Sequence, residues 1–156
     1  MIEGILLPNT GDELAAPFWD GCAAGELRIQ ACVACGRLRF PPRPMCPWCQ
    51  SMDSEWQVMS GRGSVWSFVV PHAPLLPAYQ EFAPYNVIVV ELDEDPGIRL
   101  VGNLVASEHQ PLNSVDPYSI TIGDPVRVVF ATITGPDGEG GASSNDAVTL
   151  PRWVRA

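Results

Sequence analysis

The sequence predicts a mainly β protein that begins with a short helix, continues into a ribbon containing four cysteines and ends in a five-stranded barrel. Three observations support this prediction. Glycine and proline are frequent, with 14 and 16 of the 156 residues, which suits short strands and turns better than long helices. Four of the five cysteines form two C-x2-C pairs. Five runs rich in β-branched residues follow the cysteines.

The first predicted element is a helix within residues 12–26. Asp12 is a candidate N-cap, apolar residues recur at helical spacing, and Gly25 ends the segment. Pro17 either lies in the first turn of this helix or kinks it. Cys22 falls on the apolar face, so we expect a small core residue rather than a nucleophile, because burial raises the pKa of a thiol.

The second predicted element is a metal-binding ribbon. Its two C-x2-C pairs are Cys32 with Cys35 and Cys46 with Cys49. Together they supply the four soft ligands that tetrahedral Zn²⁺ takes at about 2.3 Å. Disulfides and a redox C-x-x-C are alternatives, and a four-thiolate iron site would use the same ligands. The paired spacing favours structural zinc, and four protein ligands leave no open position for a catalytic water.

The last predicted element is a barrel made from five strands. The strand-like runs cover residues 64–70, 85–92, 98–105, 125–133 and 147–150. A long connection after the third run matches the five-stranded Greek-key barrel of the OB fold, with an open sheet or a small sandwich as alternatives. The Gly-, Ser- and Asp-rich stretch 135–146 is expected to be a mobile loop in the last hairpin, and the sequence assigns it no role.

These elements divide the chain into three parts: residues 1–26 as an N-terminal extension and helix, 27–57 as the zinc ribbon and 58–156 as the OB-fold barrel. Hydrophobic residues make up 46% of the chain, which is enough to bury a core. The net charge of −9 disfavours nucleic acid as a partner. Without a long apolar run or a basic N-terminal region, the sequence predicts a cytoplasmic protein that has no membrane partner.

A series of short motifs resembles one known family. In order, these motifs are PFWDG at 17–21, GEL at 25–27, C-x2-CG at 32–36, RFPPR at 39–43, CP-x-C at 46–49, GRG at 61–63 and LPR at 150–152. The series is similar to the acyl-CoA-associated rubredoxin-like zinc-ribbon/OB-fold domain family, long catalogued as a domain of unknown function. The resemblance covers about residues 12–155 and leaves out the Gly-rich stretch.

The resemblance implies a non-catalytic partner of thiolase-superfamily enzymes. Family members accompany thiolases, ketoacyl- or hydroxymethylglutaryl-type synthases and lipid-transfer-protein-like aldolases that cleave acyl-CoA side chains of steroids, and some are fused to acyl-CoA hydratases. The expected partner is therefore a thiolase-like or lipid-transfer-protein-like aldolase subunit in a heterotetramer, with an acyl-CoA hydratase as a further option. A coenzyme A thioester would be the substrate of the complex, and the catalytic residues would belong to the partner.

Two sets of residues are candidates for contact with acyl-CoA or with a partner. The ribbon set is Arg37, Arg39, Phe40, Arg43 and Trp48, and the set in the proline-rich loop after the first barrel strand is His72, Leu75, Leu76 and Tyr79. Arginines could meet phosphates or acidic residues, although a solvated charged face is the plainer alternative. The apolar loop could either bind a partner or fold over the open end of the barrel.

The C-terminal residues Arg152, Trp153 and Arg155 have the composition of an interface, or else form a frayed tail. Neither His72 nor His109 has a triad-like spacing, and no catalytic residues are predicted. Together with this absence of catalytic residues, the family resemblance implies an accessory subunit of a C–C bond-cleaving enzyme in steroid or fatty-acyl-CoA side-chain catabolism. It would stabilise the complex and help to form the acyl-CoA channel. The alternative is a nucleic-acid-binding zinc-ribbon/OB module.

Overall fold

A computed structural model of the chain describes residues 6–135 and 147–156. Helix α1 (Ala16–Ala23) comes first, a three-stranded sheet follows, and a five-stranded sheet completes the described residues. The Gly-rich stretch expected to be a mobile loop lies, from residue 136 to residue 146, outside the described residues. None of the helices in the described ranges is both long and apolar enough to span a lipid bilayer.

Helix α1 is shorter than the sequence predicted. It begins at Ala16, with Pro17 in its first turn, and Asp12 does not cap it. Instead, the Asp12 carbonyl accepts hydrogen bonds from the N–H groups of Ala15 and Ala16, which closes a turn before the helix. The helix buries Phe18 and Cys22 on one face. Burial raises the pKa of Cys22 to about 12, in agreement with a core thiol.

The ribbon is a small antiparallel sheet. Its strands are β1 (Arg28–Cys32), β2 (Leu38–Arg39) and β3 (Ser54–Val58), in the order β2-β1-β3. Only the central strand β1 is well buried, while four of the five residues of β3 are exposed. The ribbon therefore brings little apolar surface of its own to a core.

The barrel contains the five predicted strands. They are β4 (Arg62–Val69), β5 (Val87–Leu92), β6 (Arg99–Gly102), β7 (Pro125–Thr134) and β8 (Ala147–Arg155), paired antiparallel in the order β6-β5-β4-β7-β8. A parallel bridge between Leu104 and Trp153 links the two outer strands' ends, so the sheet is nearly closed. This arrangement confirms the five-stranded OB-fold barrel. The long connection between β6 and β7 holds a short 3₁₀ helix at Pro117–Ser119.

Strand β8 continues five residues beyond its predicted end, and this extension corrects the interpretation of the C-terminus. Trp153 is fully buried, and its ring packs against the backbone of Gly102. Arg152 is buried as well, whereas Arg155 is exposed and binds Asp124 at 2.7 Å. Trp153 is thus a core residue rather than an interface residue or part of a frayed tail, because β8 pairs with β7 along its whole length.

Candidate metal centre and binding surfaces

The four predicted metal ligands lie together. The sulfurs of Cys32, Cys35, Cys46 and Cys49 all fall within 4.8 Å of one another. We call each C-x2-C pair with its turn a knuckle. Two sulfur–sulfur distances join one knuckle to the other: Cys32 to Cys49 at 3.5 Å and Cys35 to Cys46 at 3.7 Å. These distances are far longer than the ~2.05 Å of a disulfide bond, so all four are free thiols.

Each C-x2-C pair is folded into a tight turn. The N–H of Gly36 donates to the carbonyl of Cys32 at 2.8 Å, and the N–H of Gln50 donates to the carbonyl of Cys46 at 2.9 Å. Both Gly36 and Gln50 adopt positive φ, at 72° and 63° respectively. The chain therefore reverses directly after each pair, and this reversal leaves backbone N–H groups facing the sulfurs.

The backbone of the turns favours ionised sulfurs. The N–H of Cys35 lowers the pKa of Cys32. Burial alone would raise the pKa of Cys46, but the N–H groups of Cys49 and Trp48 outweigh it and lower the pKa to about 6. For Cys49 the N–H of Ser51 lowers the pKa, and the neighbouring thiols and burial overcome it and raise the pKa to about 12. Four thiols this close cannot all ionise without a cation among them.

The cluster fits zinc. Ligands at about 2.3 Å on a regular tetrahedron place neighbouring sulfurs ~3.8 Å apart, close to the two cross-knuckle separations. Four thiolates with N–H donors nearby form the ligand set of structural zinc sites. Zn²⁺ bound here would supply a fixed cross-link between the knuckles, held by Cys32, Cys35, Cys46 and Cys49.

The ribbon set of candidate contact residues lines one cleft. This cleft, which we call the ribbon cleft, has a volume of about 480 Å³ and includes Arg37, Arg39, Phe40, Arg43 and Trp48 in its walls. The guanidinium of Arg37 lies over the ring of Trp48, 5.3 Å from its centroid. Among the described residues, Asp95 is the only one with an acidic side chain in these walls. The ribbon cleft is therefore a basic and partly aromatic surface.

Arg39 departs from the expected solvated face, because it is only 3% exposed. Its Nε donates to the side-chain oxygen of Gln30 at 2.7 Å, and its Nη2 donates to the carbonyl of Arg43 at 3.2 Å. Gln30 also accepts the N–H of Arg43 at 2.8 Å. Arg39 thus fixes the floor of the ribbon cleft, whereas Arg37 and Arg43 are exposed.

The loop set of candidate contact residues does not form a single site. His72 is exposed and lies 3.0 Å from the hydroxyl of Tyr118. Leu75 is half-buried and Leu76 is exposed. Tyr79 instead stacks on Tyr85, with centroids 6.1 Å apart, and packs against the barrel. The proline-rich loop is therefore divided. Its first part, with His72 and Leu76, is exposed to solvent, and its second part, with Tyr79, packs onto the barrel.

One cavity was not predicted from the sequence. It has a volume of about 620 Å³ and lies among the N-terminal segment, helix α1, the residues after β2, and strands β6 and β8. We call it the apolar cavity. Phe40 and Tyr79 belong to its walls, so it unites one member of each predicted set. The other wall residues come from segments that are far apart in sequence, so no local sequence pattern predicts that they line one cavity.

Comparison with known proteins places this architecture in a family. A family model described as the rubredoxin-like zinc ribbon domain of ChsH2 matches residues 19–53, and one described as the C-terminal OB-fold domain of ChsH2 matches residues 56–131. The chain is 36% identical over 114 residues to a DUF35 domain-containing scaffold protein of Methanothermobacter thermautotrophicus, covering 72% of this chain and 77% of that protein. The chain belongs to the DUF35 family.

Other relatives of this DUF35 chain are longer. It is 39% identical over 128 residues to the 3-oxo-4,17-pregnadiene-20-carboxyl-CoA hydratase alpha subunit of Mycobacterium tuberculosis, covering 82% of this chain and 37% of that protein. It is also 43% identical over 110 residues to a probable enoyl-CoA hydratase alpha subunit of Thermomonospora curvata, covering 70% of this chain and 31% of that protein. The chain thus spans about a third of the length of these two relatives.

A solved structure resembles the DUF35 chain along nearly its whole length. It is described as an Ltp2-ChsH2(DUF35) aldolase, and it superposes with a TM-score of 0.73 at 33% identity, covering 96% of this chain and 98% of that chain. The relatives are therefore scaffold proteins and subunits of larger enzymes, which is consistent with an accessory subunit. The zinc ribbon and the OB-fold expected from the motif series are both confirmed.

Proposed function

We propose that this protein is a non-catalytic accessory subunit of a thiolase-superfamily acyl-CoA enzyme. Its catalytic partner would be a lipid-transfer-protein-like aldolase or a thiolase that cleaves a C–C bond in steroid or fatty-acyl-CoA side chains. The observation that carries the proposal is the likeness to one chain of the Ltp2-ChsH2(DUF35) aldolase, which spans 98% of that chain. A likeness of this extent includes the ribbon, the barrel and the connection between them.

Each part of the chain would have its own role in this complex. Residues 1–26 would form the N-terminal extension and helix, residues 27–57 the zinc ribbon and residues 58–156 the barrel. Helix α1 contacts β1 of the ribbon and β8 of the barrel. Zinc on the four cysteines would hold the knuckles in place. The exposed Arg37, Arg43 and Trp48 would contact coenzyme A phosphates or acidic residues of the partner, because arginine binds both as a planar double donor. The exposed part of the proline-rich loop would be covered by the partner.

We further propose a heterotetramer in which a symmetric dimer of the catalytic partner carries two copies of this chain. The similarity to two hydratase alpha subunits supports an acyl-CoA hydratase as a further proposed partner. In such an assembly this chain would complete the acyl-CoA channel, while the partner would supply the reacting groups.

A tagged pull-down from the native host tests the accessory role. We expect a stoichiometric thiolase-like or aldolase protein, no nucleic acid by ultraviolet absorbance, and cleavage of β-hydroxyacyl- or β-ketoacyl-CoA by the complex but not by this chain alone. Nucleic acid that dissociates as salt increases, without such a protein, would overturn the proposal in favour of a nucleic-acid-binding module. A complex that is inactive on every such thioester would also contradict it.

A matched pair of variants tests the ribbon cleft. The described residues include two exposed Arg–Trp pairs, Arg37 over Trp48 in the ribbon and Arg99 over Trp66 in the barrel. We expect R37Q/W48A to weaken partner binding or to raise the KM for the acyl-CoA, and R99Q/W66A to change neither. Equal effects of the two double variants would show that the ribbon cleft has no special part in binding.

A further inference from the structure

The apolar cavity is enclosed by several segments rather than lying on an open face. Its volume of about 620 Å³ falls inside the range of roughly 300–1,000 Å³ that is usual for ligand pockets. Among the aliphatic and aromatic wall residues that the structure describes, apart from prolines and alanines, only Leu6 and Val101 are exposed. The rest of the lining is shielded, so a small molecule can reach it and the surface of a folded partner cannot.

Aromatic rings that already pack on one another form much of the lining. Phe18 meets Trp19 edge-on, with ring centroids 5.0 Å apart, and lies 5.3 Å from the ring of Phe40. Tyr79 and Tyr85, which also belong to the walls, stack on each other. Each of these rings has a neighbour that holds its orientation. The pocket is therefore formed without a ligand, and binding would cost little reorganisation.

The lining offers no charge with which a ligand could pair. Within the described residues it contains no acidic side chain, and its one cationic residue is Arg152. Nη1 of Arg152 donates to the carbonyls of Glu108 and Gln110, which lie outside the lining, and Nη2 is buried. The guanidinium is thus directed at the segment that follows β6. A carboxylate or phosphate in the cavity would lose its hydration without gaining a partner, which is costly.

We propose that the apolar cavity binds an uncharged small molecule with a hydrocarbon body, of the class of long-chain alcohols and other neutral lipids. The shielded apolar lining selects the hydrocarbon body, and the lack of an accessible charge selects against anions. The site is formed by this chain alone, without a partner or coenzyme A. It can therefore fail its test while the accessory role stands, and the accessory role can fail while the site stands.

Titration calorimetry of the full chain at pH 7.5 tests the proposal, with 1-decanol, 1-octanol and decanoate as probes below their solubility and aggregation limits. We expect saturable binding of decanol, at least about ten-fold tighter than that of decanoate, because the carboxylate would be buried without a partner. Octanol should bind about fifteen-fold more weakly than decanol, because each of the two missing CH₂ groups contributes about 0.8 kcal/mol when buried.

A matched pair of variants on β5 locates the binding. Val87 and Val89 are both half-buried and lie two residues apart on one strand, but only Val87 lines the cavity. We expect V87W to weaken decanol binding about five-fold or more, because overpacking of a formed site costs at least that much. V89W should bind decanol as the wild type does.

Three results would overturn the proposal: no saturable binding of decanol, binding of decanoate as tight as that of decanol, or equal behaviour of the two β5 variants. Should V87W fail to fold, 10-bromodecan-1-ol gives the decision in the otherwise native chain, because bromine quenches tryptophan emission only at close contact. Trp19→Phe should remove most of this quenching, and Trp66→Phe, which changes a ring outside the cavity, should leave it. Quenching that persists in W19F would overturn the site.

Discussion

The ribbon and the barrel are stabilised by different means. The barrel strands alternate buried and half-buried residues, as in β5, and bury large side chains such as Ile88, Leu92 and Trp153. The ribbon buries one strand and leaves Val33, Met52 and other apolar residues exposed. Too little apolar surface is removed from water in the ribbon to offset the entropy of ordering it, so its stability depends on the metal cluster. The comparison shows one chain that combines a hydrophobic core with a coordination centre.

Loss of a metal ligand should have the largest effect, and it should be confined to the ribbon. We expect Cys35→Ser to release zinc and unfold the ribbon, because structural zinc contributes about 10–16 kcal/mol to folding. Metal content by mass spectrometry and circular dichroism would show this loss. Cys22→Ala is the matched control. Cys22 lies outside the cluster, so this variant should keep its full metal content. Retention of zinc by the Cys35 variant would refute the ligand assignment.

Truncation of Trp153, the buried aromatic residue of the barrel, should destabilise the barrel and leave the metal centre of the ribbon unchanged. We expect Trp153→Ala to lower the free energy of unfolding by about 3–5 kcal/mol, because it leaves a cavity in the core. Its zinc content should stay at the wild-type level. The control is Trp66→Ala on β4, where the ring is exposed and the loss should stay below about 1 kcal/mol. Equal losses in urea denaturation would contradict the core position of Trp153.

The buried Cys22 should behave differently from the four cluster thiols. Because burial raises the pKa of Cys22 to about 12 from the usual 9.0, its thiolate fraction near neutral pH is roughly a thousandfold smaller. We expect very slow alkylation by iodoacetamide in the folded chain. Between pH 9 and 12 the unfolded chain releases this proton while the folded chain keeps it, so the free energy of unfolding should fall. In Cys22→Ala that part of the alkaline loss should disappear.

A backbone contact inside the barrel should be sensitive to a single added methyl group. At Gly63 a Cβ would collide with the backbone carbonyl oxygen of Glu91 on the paired strand. We expect Gly63→Ala to cost about 1–3 kcal/mol, because strand β4 must move away from β5. Ser67→Ala on the same strand should change stability by less than about 0.5 kcal/mol. An unchanged thermal midpoint for G63A would show that β4 and β5 accommodate the added methyl group without strain.

The smallest expected difference concerns the two exposed cation–π pairs. Arg37 lies 5.3 Å from the ring centroid of Trp48 in the ribbon, and Arg99 lies 3.8 Å from that of Trp66 in the barrel. Exposed pairs contribute about 0.5–1 kcal/mol, and the attraction weakens with distance. We therefore expect R99Q to destabilise the chain slightly more than R37Q in urea titrations. The reverse order would indicate that Arg37 has a structural role in the ribbon.

Local sequence patterns were enough to predict the metal centre and most of the strands. The cysteine spacing identifies all four clustered sulfurs, because both knuckles are short-range structures that the chain forms within a few residues. The end of β8 was missed, since Pro151 and the arginines around Trp153 do not look like a strand. Pairing with β7 decides their conformation, and that pairing joins residues far apart in sequence.

Side-chain chemistry was harder to predict than backbone structure. Arg39 and Arg152 both look like surface residues in the sequence, yet both are buried, because Gln30 and two backbone carbonyls, respectively, accept their hydrogen bonds. Gln30 lies nine residues from Arg39, and the carbonyls that bind Arg152 lie more than forty residues from it, so local sequence does not identify these acceptors. The apolar cavity was missed for the same reason, because its walls come from both ends of the chain.

The sequence by itself determined the fold class, the zinc ribbon and the family, because these depend on residue types at fixed short spacings. Only the tertiary structure decided which charged groups lie inside and which stay on the surface. The physical reason is that burial and hydrogen bonding of a side chain depend on every segment packed around it, whereas a turn, a strand or a knuckle depends mainly on its own residues.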